Sequence, residues 1–193
     1  MPIINIHRPD PIRWRQTVRR PLSLLAAVFA LAAAAQADTH TWTGGGADNN
    51  WTNAANWGGS APVGGDALIF AGTTRLTPNN NFTAGTPFSG ISFAASAGSF
   101  TNGGNSIALT GELANNSTSP QTLGIAISSS STCTVNAAAG DMAISGIISG
   151  ACVLYKKGAA KLTLSANNSY SVGTTIAGGT LAVTRDNQAL HQL

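Results

Sequence analysis

The sequence of 193 residues predicts an all-β chain folded as a solenoid of stacked parallel coils. Three observations favour this fold. The apolar runs are very short, small residues fill many positions where coils would stack, and similar motifs recur, such as Ile144-Ser145-Gly146 and Leu164-Ser165-Ala166. Coils of about 20 to 25 residues would give roughly six or seven rungs. A β-sandwich is the alternative, although the runs lie too close together for strands of sandwich length.

Short runs in which apolar and polar residues alternate are predicted as strands. They are 67–70, 90–93, 106–110, 121–127, 132–135, 142–145, 152–155, 162–165 and 180–183. Segments rich in glycine and asparagine separate them and are predicted as turns. These are 78–81, 102–105, 115–117, 139–141 and 177–179.

The first 37 residues have the pattern of a signal peptide. Five arginines precede an apolar run at 22–35, and Ala35-Gln36-Ala37 is the small-x-small pattern that signal peptidase accepts. The run is shorter than the roughly 18 to 20 residues that span a bilayer. Cleavage is therefore predicted between Ala37 and Asp38. The protein is expected to be exported, to the cell surface or the medium, or to the periplasm if no translocator is present.

Removal of the signal peptide changes the charge of the chain. The formal net charge of +3 includes five arginines and Asp10 from that segment, so the remainder has five basic and six acidic residues. A near-neutral chain gives no reason to expect a nucleic-acid partner. The three lysines, Lys156, Lys157 and Lys161, are predicted to lie on a solvated coil edge.

Residues 38–66 are predicted to form a cap ahead of the coils at 67–193. Trp42, Trp51 and Trp57 crowd into this segment. Large aromatic side chains folded across the first coil would cover its apolar face and its open strand edge. The alternative is that the three indoles are exposed and stack on carbohydrate.

The stretch 156–183 carries the most specific pattern in the chain. Leu162 and Leu164 alternate with Thr163 and Ser165, and glycines and asparagines separate this run from 180–183. The stretch resembles the autotransporter-associated β-strand repeat of bacterial passenger proteins, and the resemblance covers about 146–183. The tryptophan-rich segment resembles the start of many such passengers.

The resemblance implies a right-handed parallel β-helix with a structural or adhesive role at the cell surface and no catalysis. The implied partner is a host or environmental surface, or a polysaccharide. A complete passenger of this kind continues into an outer-membrane β-barrel, and residues 184–193 hold no series of amphipathic strands. The expectation is a truncated autotransporter or a short secreted relative. Membrane contact would be limited to the signal peptide or a missing barrel, and an open β-edge would allow self-association.

The alternative function is a β-helix protein that binds or degrades polysaccharide. Degradation would need converging carboxylates. In a solenoid Glu112 could meet Asp141, or Asp48 could meet Asp66, but the acids are few and scattered. His40 and His191 have no ligand spacing to another metal-binding side chain. No catalytic residue, metal site or cofactor is assigned.

Cys133 and Cys152 are separated by about one coil length. Two alternatives remain open for them. In an exported chain they could form a disulfide between neighbouring rungs, or they could be two free thiols packed as small apolar side chains in the coil interior.

Overall fold

The computed structural model describes residues 37–185, together with Pro2. The chain divides into one unit at Met1–Ala33 and a second at Ala34–Leu193, and the fold below is that of the second. Met1 and residues 3–36 of the predicted signal peptide lie outside the described residues, as do residues 186–193. Among the described residues, no helix is long and apolar enough to cross a membrane.

All strand pairs in the described residues are parallel, and the one helix there is a 3-10 turn at Ala54–Trp57. The strands are β1 Thr39–Trp42, β2 Ala67–Phe70, β3 Asn79–Asn80, β4 Thr86–Phe93, β5 Thr101–Gly104, β6 Ile107–Asn115, β7 Gln121–Leu123, β8 Ile127–Ser128, β9 Thr132–Ala137, β10 Met142–Ile144, β11 Ile148–Gly150, β12 Val153–Lys157, β13 Lys161–Leu164, β14 Ser169–Tyr170, β15 Gly173–Ile176 and β16 Thr180–Val183.

The strands stack into three faces. Face 1 consists of β1, β2, the second halves of β4 and β6, and then β9, β12 and β15. Face 2 is the ladder β3, β5, β7, β10, β13 and β16. Face 3 consists of the first halves of β4 and β6, followed by β8, β11 and β14. Each coil visits the faces in this order, so the all-β solenoid is confirmed.

The coils shorten along the chain. Successive partners on face 1 are Thr39, Ala67, Gly90, Glu112, Thr134, Tyr155 and Thr175. The spacings between them define six coils of 28, 23, 22, 22, 21 and 20 residues, named here coils 1 to 6. The expected number of rungs is therefore confirmed, and the expected coil length holds for all coils but the first.

The core shrinks in step with the coils. At one position of face 1 the residues in register are Trp42, Phe70, Phe93, Asn115 and Ala137. The Phe70 and Phe93 rings stack with centroids 5.5 Å apart. Because neighbouring parallel strands lie about 4.8 Å apart, identical side chains at one register position contact their neighbours directly. A wide aromatic end thus passes into a narrow aliphatic end.

Some strand predictions need correction. The predicted strand 121–127 is two strands, β7 and β8, because the chain turns from face 2 to face 3 at Gly124, whose N–H bonds to the Asn102 carbonyl at 2.7 Å. The predicted turns at 78–81 and 102–105 contain β3 and most of β5. The neighbouring coil supplies a partner for β3, where Asn79 Nδ2 donates to Asn50 Oδ1 at 3.0 Å. The buried Asn102 side chain of β5 has no hydrogen-bond partner among the described residues.

Candidate functional surface

Lys156 corrects the prediction of a solvated lysine cluster. It lies on β12 with its side chain inward and is 0% exposed. The register places it in a column of buried aliphatic side chains, directly after Leu113 and Val135. Alternation explains this burial, because Leu154 is buried two residues earlier on the same strand.

The ammonium group of Lys156 holds two coils together. Its Nζ donates to the carbonyl oxygens of Lys157 and Gly158, both at 2.9 Å, and to that of Gly178 at 3.0 Å. Three acceptors match the three N–H donors of an ammonium group. Burial lowers the pKa of Lys156 below its usual 10.5, and the negative charge of Asp141 offsets part of this effect. The turn at 177–179 is thereby attached to the coil beneath it.

The other two lysines of this segment lie at the surface, as predicted. Lys157 Nζ is 3.2 Å from Glu112 Oε1, and Lys161 Nζ is 3.5 Å from Asp141 Oδ2. Both pairs are well exposed, and such pairs contribute roughly 0.2 to 1 kcal/mol. The Lys161 backbone N–H also bonds to Asp141 Oδ1 at 2.9 Å, which is the main reason why the pKa of Asp141 is lowered.

The acids considered as catalytic pairs each have separate partners. Asp48 Oδ1 accepts hydrogen bonds from the Asn50 N–H and from Asn53 Nδ2, and the Asn50 bond is the larger cause of its lowered pKa. No hydrogen bond or ion pair among the described residues joins Glu112 to Asp141, or Asp48 to Asp66. Nor do three or more His, Cys, Asp or Glu side chains of the described chain converge as a metal site.

The proposal that exposed tryptophans stack on carbohydrate is wrong for this structure. Trp42 and Trp51 are 0% exposed and Trp57 is 5% exposed. Trp42 and Trp57 meet edge to face with centroids 5.1 Å apart, and all three indoles contact Phe70. The segment also contains β1, which pairs with β2 in regular register. The three indoles thus form the core of coil 1, and their faces are not available to a sugar.

Asn56 organises the loop between these tryptophans, and the sequence reasoning missed it. The side chain is 0% exposed, and its Nδ2 donates to the carbonyls of Asp48 and Asn50, each at 3.0 Å. Its Oδ1 accepts from the Gly46 N–H at 2.9 Å. The only sequence signal was an asparagine directly before a tryptophan. That signal does not distinguish a buried asparagine from an exposed one in a loop.

Asp66, which the sequence analysis considered only as a partner of Asp48, is a second buried polar residue. It is 2% exposed and lies immediately before β2. Its Oδ1 accepts from the Asp38 N–H at 3.0 Å, and its Oδ2 accepts from the Val63 N–H at 2.7 Å. His40 Nε2 lies 3.1 Å from the same Oδ2, and its Nδ1 lies 3.1 Å from the Ser60 carbonyl oxygen. We call this group the Asp66 pocket.

For the two cysteines, the structure agrees with the second alternative, in which free thiols pack in the coil interior. Cys133 and Cys152 are free thiols and both are 0% exposed. The register places Cys133 beside Leu154, two residues beyond Cys152. Burial raises the pKa of Cys133 to about 12, and the neighbouring Cys152 adds to the shift. Both therefore pack as small apolar side chains.

A shallow depression of about 250 Å³ lies between β6, β8 and the end of β11. It is lined by Leu109, Thr110 and the hydroxyls of 128–130. Ligand pockets usually have volumes of roughly 300 to 1,000 Å³. This depression is smaller and holds no charged side chain, so it does not make a site.

Comparison with known proteins adds one finding. The family model described as passenger-associated-transport-repeat matches residues 154–183. No curated protein and no solved structure matches this chain. The matched segment runs from β12 to β16 and forms coil 6 and the start of the next coil, in register with the coils beneath it. Residues 154–183 therefore carry an autotransporter passenger-associated repeat, which is built into a parallel β-solenoid.

Proposed function

We propose that this chain is an exported, passenger-like structural module that adheres through the outer sides of faces 2 and 3 of its solenoid and performs no catalysis. The observation that carries the proposal is the passenger-associated repeat at 154–183, which continues the register of all the preceding coils. Coils that share one register stack into a rod whose outer faces are continuous from coil to coil. A rod of this kind suits display at a surface.

The outer faces support adhesion through many weak contacts. Residues that point outward on face 2 lie in one row in register, Thr101, Thr122, Ala143, Thr163 and Ala182. Face 3 has a second row, Ala108, Ser128, Ser149 and Ser169. At about 4.8 Å per coil, these rows extend over roughly 15 to 20 Å. Small, uncharged residues let a polymer or a solid surface approach the backbone closely.

The non-catalytic part of the proposal is supported by the acids. Glycoside hydrolysis needs a carboxyl group whose pKa is raised so that it can donate a proton. The pKa values of Asp48 and Asp141 are shifted in the opposite direction. Incubation of the protein with neutral and acidic polysaccharides should release no reducing ends. A release that depends on Glu112 or Asp141 would favour the degrading enzyme instead.

Adhesion is tested with exported protein on immobilised polysaccharides and on bare glass or polystyrene. We expect retention above that of an unrelated exported protein of similar charge. The double variant Thr122→Glu and Thr163→Glu, which adds two charges to the face 2 row, should reduce retention several-fold. The matched control is Thr134→Glu with Thr175→Glu, which adds the same charges to face 1. Retention no greater than that of the unrelated protein would overturn the adhesive role.

A further inference from the structure

The Asp66 pocket brings three separate groups to one buried carboxylate. Asp66 accepts backbone N–H bonds from Val63 and Asp38, and His40 approaches from a third side. One of these donors, the Asp38 nitrogen, belongs to the residue that follows the predicted cleavage point. Ala37 and Asp38 are both exposed, so the peptide bond between them is accessible to a protease.

Cleavage at this bond changes the chemistry of the donor. Hydrolysis adds one water to the Ala37–Asp38 amide, so that Ala37 leaves with a carboxylate and Asp38 keeps an ammonium group. An α-amine has an ordinary pKa of roughly 7.7 to 8.0, so it is mostly charged at neutral pH. The nitrogen already lies 3.0 Å from Asp66 Oδ1. A neutral amide donor thus becomes a cation in contact with a buried carboxylate.

We propose that the Asp66 pocket is the binding site for the new N-terminal ammonium group of the processed chain, and that this ion pair closes coil 1. The inference rests on the proposed export, because cleavage after Ala37 creates the ligand. Charge-assisted hydrogen bonds are shorter and stronger than those between neutral groups. The processed form therefore gains a contact that the precursor lacks.

The position of the pocket explains why this contact matters for the first coil. The Asp38 carbonyl accepts a hydrogen bond from the Ala67 N–H at 2.8 Å, which begins the ladder between β1 and β2. The Asp66 carbonyl accepts from the Ser89 N–H at 2.9 Å in the coil above. A cation at Asp38 thus attaches the free end of β1 to a residue that is already linked to the next coil.

The test compares two forms of the protein that differ only at the N-terminus. One begins at Asp38, and the other has a single added glycine, which keeps the positive charge but moves it about 3.8 Å along the chain. Urea unfolding followed by circular dichroism should give an unfolding equilibrium constant roughly tenfold smaller for the form that begins at Asp38. In an Asp66→Asn background the two forms should have the same unfolding equilibrium constant. Asp48→Asn, in the same coil, should leave the difference intact.

A second measurement does not depend on any variant that has to fold. Acylation of the α-amine by an amine-reactive ester at neutral pH should be several-fold slower in the native protein than in the urea-unfolded protein. Equal acylation rates, equal stability of the two N-termini, or a difference that survives Asp66→Asn would each overturn the pocket. Edman sequencing of exported protein tests the export step by itself. A first residue other than Asp38 would show that the natural N-terminus does not occupy this pocket.

Discussion

Lys156 illustrates what a single residue contributes to this fold. Its charge suggested a position at the surface. Strand alternation instead places its side chain in the core, on the same side of β12 as the buried Leu154. Sequence reasoning chose composition over alternation at this position and was wrong. The three carbonyl acceptors that make burial tolerable lie on turns, and one of them, Gly178, is on the neighbouring coil. No local pattern could have revealed that acceptor.

Replacement of Lys156 by methionine should lower the free energy of unfolding by about 1 to 3 kcal/mol. Methionine keeps most of the apolar stem but leaves the three carbonyl oxygens without their donor. Urea denaturation of the variant and the wild type gives the measurement. Lys157→Met is the control, because it removes only an exposed ion pair and should cost less than about 1 kcal/mol. Equal losses in the two variants would show that the buried ammonium has no special role.

Cys133 makes the stability of the protein sensitive to alkaline pH. Its pKa is about 12 in the folded protein against an ordinary 9.0, so the folded state disfavours the thiolate. The stability linked to this group is therefore complete below pH 9 and is lost as the pH rises from 9.0 towards 12. Cys133→Ala should be less stable than the wild type below pH 9, through lost packing, but its stability should fall less steeply above pH 9 than that of the wild type. Parallel slopes in urea unfolding would contradict this assignment.

Labelling separates the two alternatives for the cysteines in exported protein. Iodoacetamide at about pH 8 should leave both thiols of the native protein unreacted, because both are buried and Cys133 stays protonated. After unfolding without a reductant, two alkylated cysteines should appear in the mass spectrum. Fewer than two would show that the exported chain forms a disulfide.

At the scale of elements, the sequence predicted several strands whose inward residues are aliphatic or aromatic. It missed β3 and β5, whose inward residues are polar, and it also missed β1, β11, β14 and β15. Strands β2, β10 and β13 belong to the first group. Strands β3 and β5 belong to the second, since their buried residues are Asn80 and Asn102. Asn80 Nδ2 donates to the Asn105 carbonyl oxygen of the next coil at 2.7 Å, whereas the buried side-chain amide of Asn102 has no hydrogen-bond partner among the described residues. Contacts between coils are not visible before the coils are aligned.

The turns between faces depend on glycine at a few close approaches. A Cβ atom at Gly146 would overlap the carbonyl oxygen of Ile125 in the coil beneath. Gly146→Ala should therefore destabilise the protein by about 2 kcal/mol or more, because backbone on the neighbouring coil must move. Gly103→Ala is the control, since no atom lies within 4 Å of its added Cβ, and its stability should be close to that of the wild type. Equal melting temperatures for the two variants would contradict the close approach.

At the scale of the whole molecule, the coils differ in how well they are covered. The inward side chains of β9 and β12 are buried. In β15, Thr175 and Ile176 are both exposed, Ile176 to 44%. In a solenoid each coil is stabilised mainly by its neighbours. Amide hydrogen exchange should therefore be fastest in β15 and β16 and slowest in β9 and β12. Strand β1 should exchange more slowly than β15, because the tryptophan core lies against it. Uniform exchange along the chain would mean that the solenoid opens only as one unit.

The change from an aromatic to an aliphatic core along the coils leaves tryptophan and tyrosine in different coils. Trp42, Trp51 and Trp57 all belong to coil 1, and Tyr155 and Tyr170, the two tyrosines of the chain, both belong to coil 6. Indole emission from the folded module thus reports on the wide end, and tyrosine absorbance reports on the narrow end. Once residues 1–37, which include Trp14, are removed, the chain carries tryptophan only in coil 1 and tyrosine only in coil 6. Unfolding that begins in coil 1 can therefore be distinguished optically from unfolding that begins in coil 6, without an attached dye.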